Sequence, residues 1–511
     1  MSSTILIAAA GTAIAALPLL VSRKSSLINP ALLMFAVVAW SLLLETLYIA
    51  ILRPAPNASG VDLIYIRAAS SDFFFDGALL VFVGVCGYVA GFFLPGRRTF
   101  RTTFPHTTRR PPAARRSYGV ATLLLLLAGV CFAMYLITSG TSLTGGPLIA
   151  KRFRSTDIGL ASRFLYLPYY FFKLALTSGS VTYAAGLLLF CATTRREERG
   201  GKLLFTLLFI FTLALSHFAS LRLVILLLVL QVLLLTVYLR ERRHALFIGI
   251  FALLTFASFG WITLIARPAP PPPLAAVAEI PASPPPVSPP RTGSEARTEA
   301  SVPERAAKPP AVDSSGGPAR PIVRQSRLPM EQRLRGALAS AFDGRYLMDV
   351  AKVAQIAHHF PDAAPFLWGE GLLGRAPASA PDMKPTDGTL NRYLSRAVFG
   401  EPNNNIGPGF LGDLYVNFGY VAVLTGFLVL GGFHRLLFNS LMAPGLPVLV
   451  AGCLIALIPS TTLVLLDVGI VSAASRSALD IAAVLLVWWP WSRRLTAGGE
   501  PGRATSAGST P

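Results

Sequence analysis

The sequence predicts an all-α, polytopic integral membrane protein with about eleven transmembrane helices and one large extracytoplasmic loop. Three observations carry that prediction. Hydrophobic residues make up 53% of the 511 residues and charged residues only 14%, whereas a soluble chain carries about a quarter charged. Apolar stretches recur along the chain, each close to the roughly 20 helical residues that cross a bilayer. Lysine and arginine collect in alternate connections, the pattern that orients helices with their basic loops on the cytoplasmic side. The net charge of +20 would suggest nucleic acid in a soluble chain. Here most basic residues lie in short loops between apolar runs, where they set topology and meet anionic lipid. The bilayer is therefore the expected partner, and nucleic acid is not.

The apolar runs fall at 4–21, 28–52, 74–95, 118–138, 168–191, 203–218, 220–239, 245–266, 410–433, 446–466 and 470–491. Residues 1–4 carry no positive side chain, so the first run reads as a membrane helix and not as a cleaved signal. The sixth and seventh runs are split only at Ser216-His217-Phe218-Ala219-Ser220 and read either as a tight hairpin or as one long helix. Lys173 interrupts the fifth run, and Arg476 and Asp480 the last. Arg97, Arg98, Arg101, Arg109, Arg110, Arg115 and Arg116 follow the third run; Arg195, Arg196, Arg199 and Lys202 follow the fifth. With Arg240, Arg242, Arg243, Arg493 and Arg494, they place the N-terminus outside and the C-terminus inside.

Five regions follow: helices 1–8 in 1–266, a Pro/Ala-rich segment at 267–329, an ordered loop subdomain at 330–409, helices 9–11 in 410–494 and a disordered cytoplasmic tail at 495–511. The 267–329 segment contains Pro270–Pro273 and Pro284–Pro286 and buries too little apolar surface to fold, which predicts a disordered tether. From Met330 the pattern turns helical, with Leu334, Leu338, Phe342, Tyr346 and Val350 at four-residue steps, until Pro361 and Pro365. The four cysteines (Cys86, Cys131, Cys191, Cys453) sit in apolar runs without metal-ligand spacing, and no nucleotide- or phosphate-cradling motif occurs, so no cofactor or metal is expected.

The most informative stretch is Arg392–Arg435. Asn403, Asn404 and Asn405 and helix-hostile Gly407, Pro408 and Gly409 give way to the apolar run beginning at Phe410. Asp413, Tyr415 and Asn417 occupy its first turns, with Asp413 and Asn417 four apart on one face. Gly412, Gly419 and Gly426 recur every seven residues, a stripe that would let a neighbouring helix approach. Asp413 reads either as a cap at the positive end of its own helix or as a carboxylate kept for use. Arg222 is an isolated charge opening an apolar run, a functional candidate by position. Glu45 is alone in the second run, a candidate partner for a buried cation. His358 and His359, at the end of the periodic helix, are a candidate base or simply a polar helix end. Further outer cations are Lys151, Arg152, Arg154 and Arg163 in 139–167, and Arg333, Arg335, Arg345, Lys352, Lys384, Arg392 and Arg396 in the long loop.

The string PGFLGDLYVNFG resembles the ELYxNFG-like segment of the bacterial Wzy-type O-antigen and oligosaccharide repeat-unit polymerases, with aspartate in place of the usual glutamate. Pro381-Asp382-Met383-Lys384-Pro385 is similar to that family's PxxKP segment, and Arg222 to the arginine that often opens the corresponding helix. Arg333–Gly344 and Arg396–Gly407 match an Arg-x10-Gly pattern found in some members; the 139–167 loop has no match. The resemblance covers about the last third of the large loop and the helix after it. It implies a membrane glycosyltransferase of the bacterial cytoplasmic membrane that joins undecaprenyl-pyrophosphate-linked repeat units on the outer face, with a chain-length regulator as a further candidate partner. In that reading Asp413, Arg222 and Arg345 are catalytic: Arg222, helped by Arg154 or Arg345, holds the donor pyrophosphate, and Asp413 orients or deprotonates the acceptor hydroxyl. Lys384 and Arg396 hold the acceptor, and Tyr415 and Asn417 shape the sugar site. The alternatives are an O-antigen ligase, whose outer-loop histidine His358 or His359 would supply, and a flippase for lipid-linked oligosaccharide.

Overall fold

The computed structural model describes residues 2–21, 28–52, 73–94, 115–138, 180–192, 199–218, 222–239, 249, 350–373, 375, 389–399, 407–443 and 446–497. These residues form helices and one isolated antiparallel bridge between Arg375 and Thr389; no strand occurs among them. Five helical stretches among them are long and apolar enough to cross a membrane: Ser2–Leu20, Pro30–Leu47, Phe74–Phe93, Gly409–Leu441 and Val448–Asp467. The molecule is an α-helical membrane protein. The tether, the eighth run apart from Gly249, and the periodic segment 330–349 lie outside the described residues.

The first half of the chain supplies α1 (Ser2–Val21), α2 (Pro30–Val38), α3 (Glu45–Leu52), α4 (Phe74–Phe93), α5 (Arg115–Thr138), α6 (Ser180–Ala192), α7 (Arg199–Phe218) and α8 (Arg222–Tyr238). Pro30 opens α2 where a missing N–H costs nothing, and the Asn29 side chain accepts from the Ala31 N–H at 3.0 Å. A π-helical turn, Ala39–Leu44, joins α2 to α3, so the second apolar run is one helix with a bulge. Runs six and seven are two helices, α7 and α8. The second half supplies α9 (Val350–His359), α10 (Leu390–Tyr393), α11 (Gly409–Leu441), α12 (Val448–Pro459), α13 (Leu465–Val468) and α14 (Ile470–Ala497), with a π-helical turn Ser460–Val464 between α12 and α13.

The ninth run corrects the sequence reading. A single helix was expected from Phe410, but Gly419 at φ 69°, ψ −157° breaks α11 into 409–418 and 420–441. Phe410 and Phe427 have ring centroids 5.1 Å apart, whereas seventeen residues along a straight helix would separate them by about 25 Å. The chain therefore doubles back at Gly419, and the half-helix 409–418 lies antiparallel against the helix 420–441. The seven-residue glycine stripe is consequently not one helix face. Gly419 is the turn, Gly426 faces Leu414 of the half-helix, and Gly412 faces Ile356 of α9.

Close helix approach is made elsewhere, between α4 and α11. A Cβ on Gly87 or Gly91 would run into the carbonyls of Leu424 and Leu428, and one on Gly431 into that of Tyr88. In an apolar surround, where lipid competes with side chains for contact, such backbone-to-backbone packing holds helices together. Tyr88 adds a hydrogen bond to His434 Nδ1 at 3.0 Å, and His434 Nε2 reaches Thr461 at 3.1 Å on α12 side.

Two apolar clusters result. The first gathers α1, α2, α4, α9, α10, α13 and α11 as far as Leu430; the second gathers α5 to α8, α12, α14 and the last turns of α11. The charges that interrupt the last apolar run are accommodated inside the second. Asp480, fully buried, accepts from Ser460 Oγ at 2.5 Å and Gln231 Nε2 at 3.2 Å, and pairs with Arg476 Nε at 3.4 Å. Three helices are thereby cross-linked through one carboxylate.

Candidate functional site

The DLYVNFG segment is the half-helix itself, and its position decides what each polar residue meets. Gly469, at φ 96° and ψ −178°, makes a corner between α13 and α14. A Cβ there would overlap the Asp413 carboxylate, so only glycine allows Asp413 so close. The Ile470 N–H, at the start of α14, donates to that carboxylate. Asp413 thus sits at the positive end of α14, not of its own helix, and remains half-buried and not sealed. Asp467 lies on the other side of the same corner. Lys352 of α9, 5% exposed, acts electrostatically on both carboxylates. One ammonium thus acts on two carboxylates at the start of α14.

The other residues of the segment fasten this arrangement. Asn417 is fully buried; its Oδ1 accepts from the N–H groups of Gly369 (3.0 Å) and Gly371 (3.1 Å), and its Nδ2 donates to the Asp413 carbonyl (2.7 Å). The break at Gly419 frees the last carbonyls of the half-helix, and Val416 and Asn417 accept from the Leu367 and Trp368 N–H groups at 3.0 and 3.1 Å. Tyr415 is buried and donates its hydroxyl to the Phe360 carbonyl at 3.0 Å, covering the end of α9. Asn417 and Tyr415 therefore face protein groups and hold the 366–373 loop and α9 against the half-helix.

Glu45 accepts from the Val350 N–H at 3.3 Å and the Ala351 N–H at 3.2 Å, capping α9 from α3. The two histidines differ. His358 is exposed and stacks on Phe73 at 4.5 Å, whereas half-buried His359 places Nε2 2.7 Å from the Tyr393 hydroxyl. Burial first, and the neighbouring His358 second, hold His359 below the ordinary imidazole range, and burial pushes Tyr393 up. Lys352, Gln355 and His359 share one face of α9 at helical spacing, a polar track about 10 Å long.

Arg222 opens α8 as expected. Arg396 is exposed on the π-helical turn Leu394–Val398 that follows α10. Arg154, Arg345 and Lys384, and the Arg222 side chain, lie outside the described residues. Two members of the corner were missed in the sequence. Lys352 was counted only among the outer cations, and Asp467 was not considered. The available signal was Asp467-Val468-Gly469: an acid and a glycine together between two apolar runs. No group of three or more metal-ligating side chains occurs among the described residues.

Comparison with protein family models, with curated protein sequences and with solved structures finds no match to this chain.

Proposed function

We propose that this membrane protein is a glycosyltransferase that polymerises undecaprenyl-pyrophosphate-linked oligosaccharide repeat units on the outer face of the bacterial cytoplasmic membrane. The observation that carries the reading is the setting of Asp413: the one carboxylate of the DLYVNFG segment is half-buried at the N-terminus of α14, beside Asp467 and Lys352. A carboxylate so placed is fixed in orientation and still partly open, as an acceptor for a sugar hydroxyl must be. The acceptor hydroxyl would attack the anomeric carbon of the donor, the bond to the pyrophosphate oxygen would break, and the hydroxyl proton would pass to Asp413. Lys352 steadies the carboxylate pair. Arg222, with Arg154 or Arg345, would neutralise the departing pyrophosphate, and Lys384 and Arg396 would hold the acceptor.

The test is the size distribution of surface and lipid-linked glycans in the protein's own host after deletion and after Asp413→Asn, with protein amounts checked. Loss of long chains with retention of single repeat units supports the polymerase. Long lipid-linked chains that never reach lipid A would replace it with a ligase, and repeat units trapped on the inner leaflet with a flippase. A normal profile from Asp413→Asn removes Asp413 from the chemistry.

A further inference from the structure

Trp368 is held in a conformation that bulky side chains avoid, and it is held outward. Its φ is 48°, it is the one non-glycine residue with positive φ among the described residues, and it is 75% exposed. The loop around it is built and not slack. The Leu367 and Trp368 N–H groups donate to the carbonyls of Val416 and Asn417, and the Gly369 and Gly371 N–H groups to Asn417 Oδ1, at 3.0 to 3.1 Å. A Cβ on Gly369 would meet the Phe418 ring at 3.5 Å, and the rings of Trp368 and Phe418 meet edge to face at 6.1 Å.

Phe418 is 41% exposed, and Tyr420 and Val421, just past the turn at Gly419, are 39% and 73% exposed. From there the outward side of the spanning helix continues through Leu424 and Val429. Trp368 therefore extends, at its end, the same apolar surface that the helix turns toward lipid. Its neighbour Glu370 is exposed, which sets the loop at headgroup depth and not within hydrocarbon.

We infer that the 366–373 loop docks on the outer interface of the bilayer, with Trp368 and Phe418 inserted among the headgroups as an anchor. The same loop is tied by Asn417 to the half-helix that carries Asp413, so the anchor fixes the depth of Asp413 relative to the interface. A sugar in solution is the competing occupant. It would leave Trp368 facing water until bound.

The test places a nitroxide at Trp368→Cys in the full chain, in nanodiscs of phosphatidylethanolamine and phosphatidylglycerol, with Cys86, Cys131, Cys191 and Cys453 replaced by alanine. Collision rates with oxygen and with a water-soluble nickel chelate are compared with those of a label at Asp362→Cys, an exposed site between α9 and the loop. The expected result is a several-fold shift toward oxygen at Trp368 relative to Asp362. Equal access of the nickel chelate to both labels would overturn the inference. The native-cysteine chain gives an independent readout. Lipids brominated near the headgroup should quench tryptophan emission, and Trp368→Phe should remove a quenched component. An unchanged quenched fraction would also overturn it. Neither readout depends on glycan synthesis, so this inference and the polymerase reading fail separately.

Discussion

The two apolar clusters are built from similar helices and handle polarity in opposite ways. In the second, the carboxylate is enclosed: Asp480 is met by Ser460, Gln231 and Arg476 where α8, the Ser460–Val464 turn and α14 come together. In the first, polar groups lie along a seam where α9, the half-helix and the α13–α14 corner meet, and its central carboxylate, Asp413, stays half-buried. A closed ion pair stabilises only against its own removal, while an open carboxylate beside a cation is available to something else. The difference separates a structural cross-link from a candidate site even though both contain aspartate and a basic residue.

Substitutions can sharpen or break that contrast. Asp480→Leu should have the largest effect, about 3–5 kcal/mol, because it strands the Arg476 charge; adding Arg476→Leu should restore most of the loss, as read from unfolding in detergent. Recovery of nothing by the double variant would mean the pair is not a closed unit. Gly91→Leu should come next, at about 3 kcal/mol, because the Leu428 carbonyl on α11 leaves no room for a side chain. Gly119→Ala on α5, where nothing lies within 4 Å, should be neutral or slightly stabilising. In the seam, Asn417→Ala should cost about 1–2 kcal/mol and speed amide hydrogen exchange at Gly369 and Gly371, whose acceptor it removes.

A further effect concerns pH. His359 lies below its unfolded value of 6.5, so its contribution is complete above that value and is lost as pH falls through the lower folded one. Protonation places a charge on a half-buried ring beside His358. Thermal stability should therefore decline on acidification below pH 6.5, and His359→Gln should flatten that decline.

How much of this was legible follows from what hydropathy can carry. Spans at 4–21, 28–52, 74–95 and 446–466 coincide with helices because apolar length fixes them. The reversal at Gly419 was hidden because the residues on both sides are apolar, and a single glycine in a helical pattern is normally tolerated. Asp413 was visible as a candidate, but its partner, the Ile470 N–H, belongs to another helix, and no local pattern encodes that meeting. Lys352 carries a charge in a polar loop and so reads as solvated; only packing of α9 against the seam buries it. Gly87, Gly91 and Gly431 looked like ordinary glycines because close approach is a property of two helices together.

The cap that Glu45 places on α9 has a bearing on biosynthesis. Glu45 and Val350 are 305 residues apart in sequence. At a synthesis rate of about 5–20 residues per second, Glu45 leaves the ribosome roughly 15–60 s before its partner. During that interval the carboxylate must be kept by water, headgroups or another chain. The seam around Asp413 is thus a late assembly, completed only when the last third of the chain arrives to meet the first.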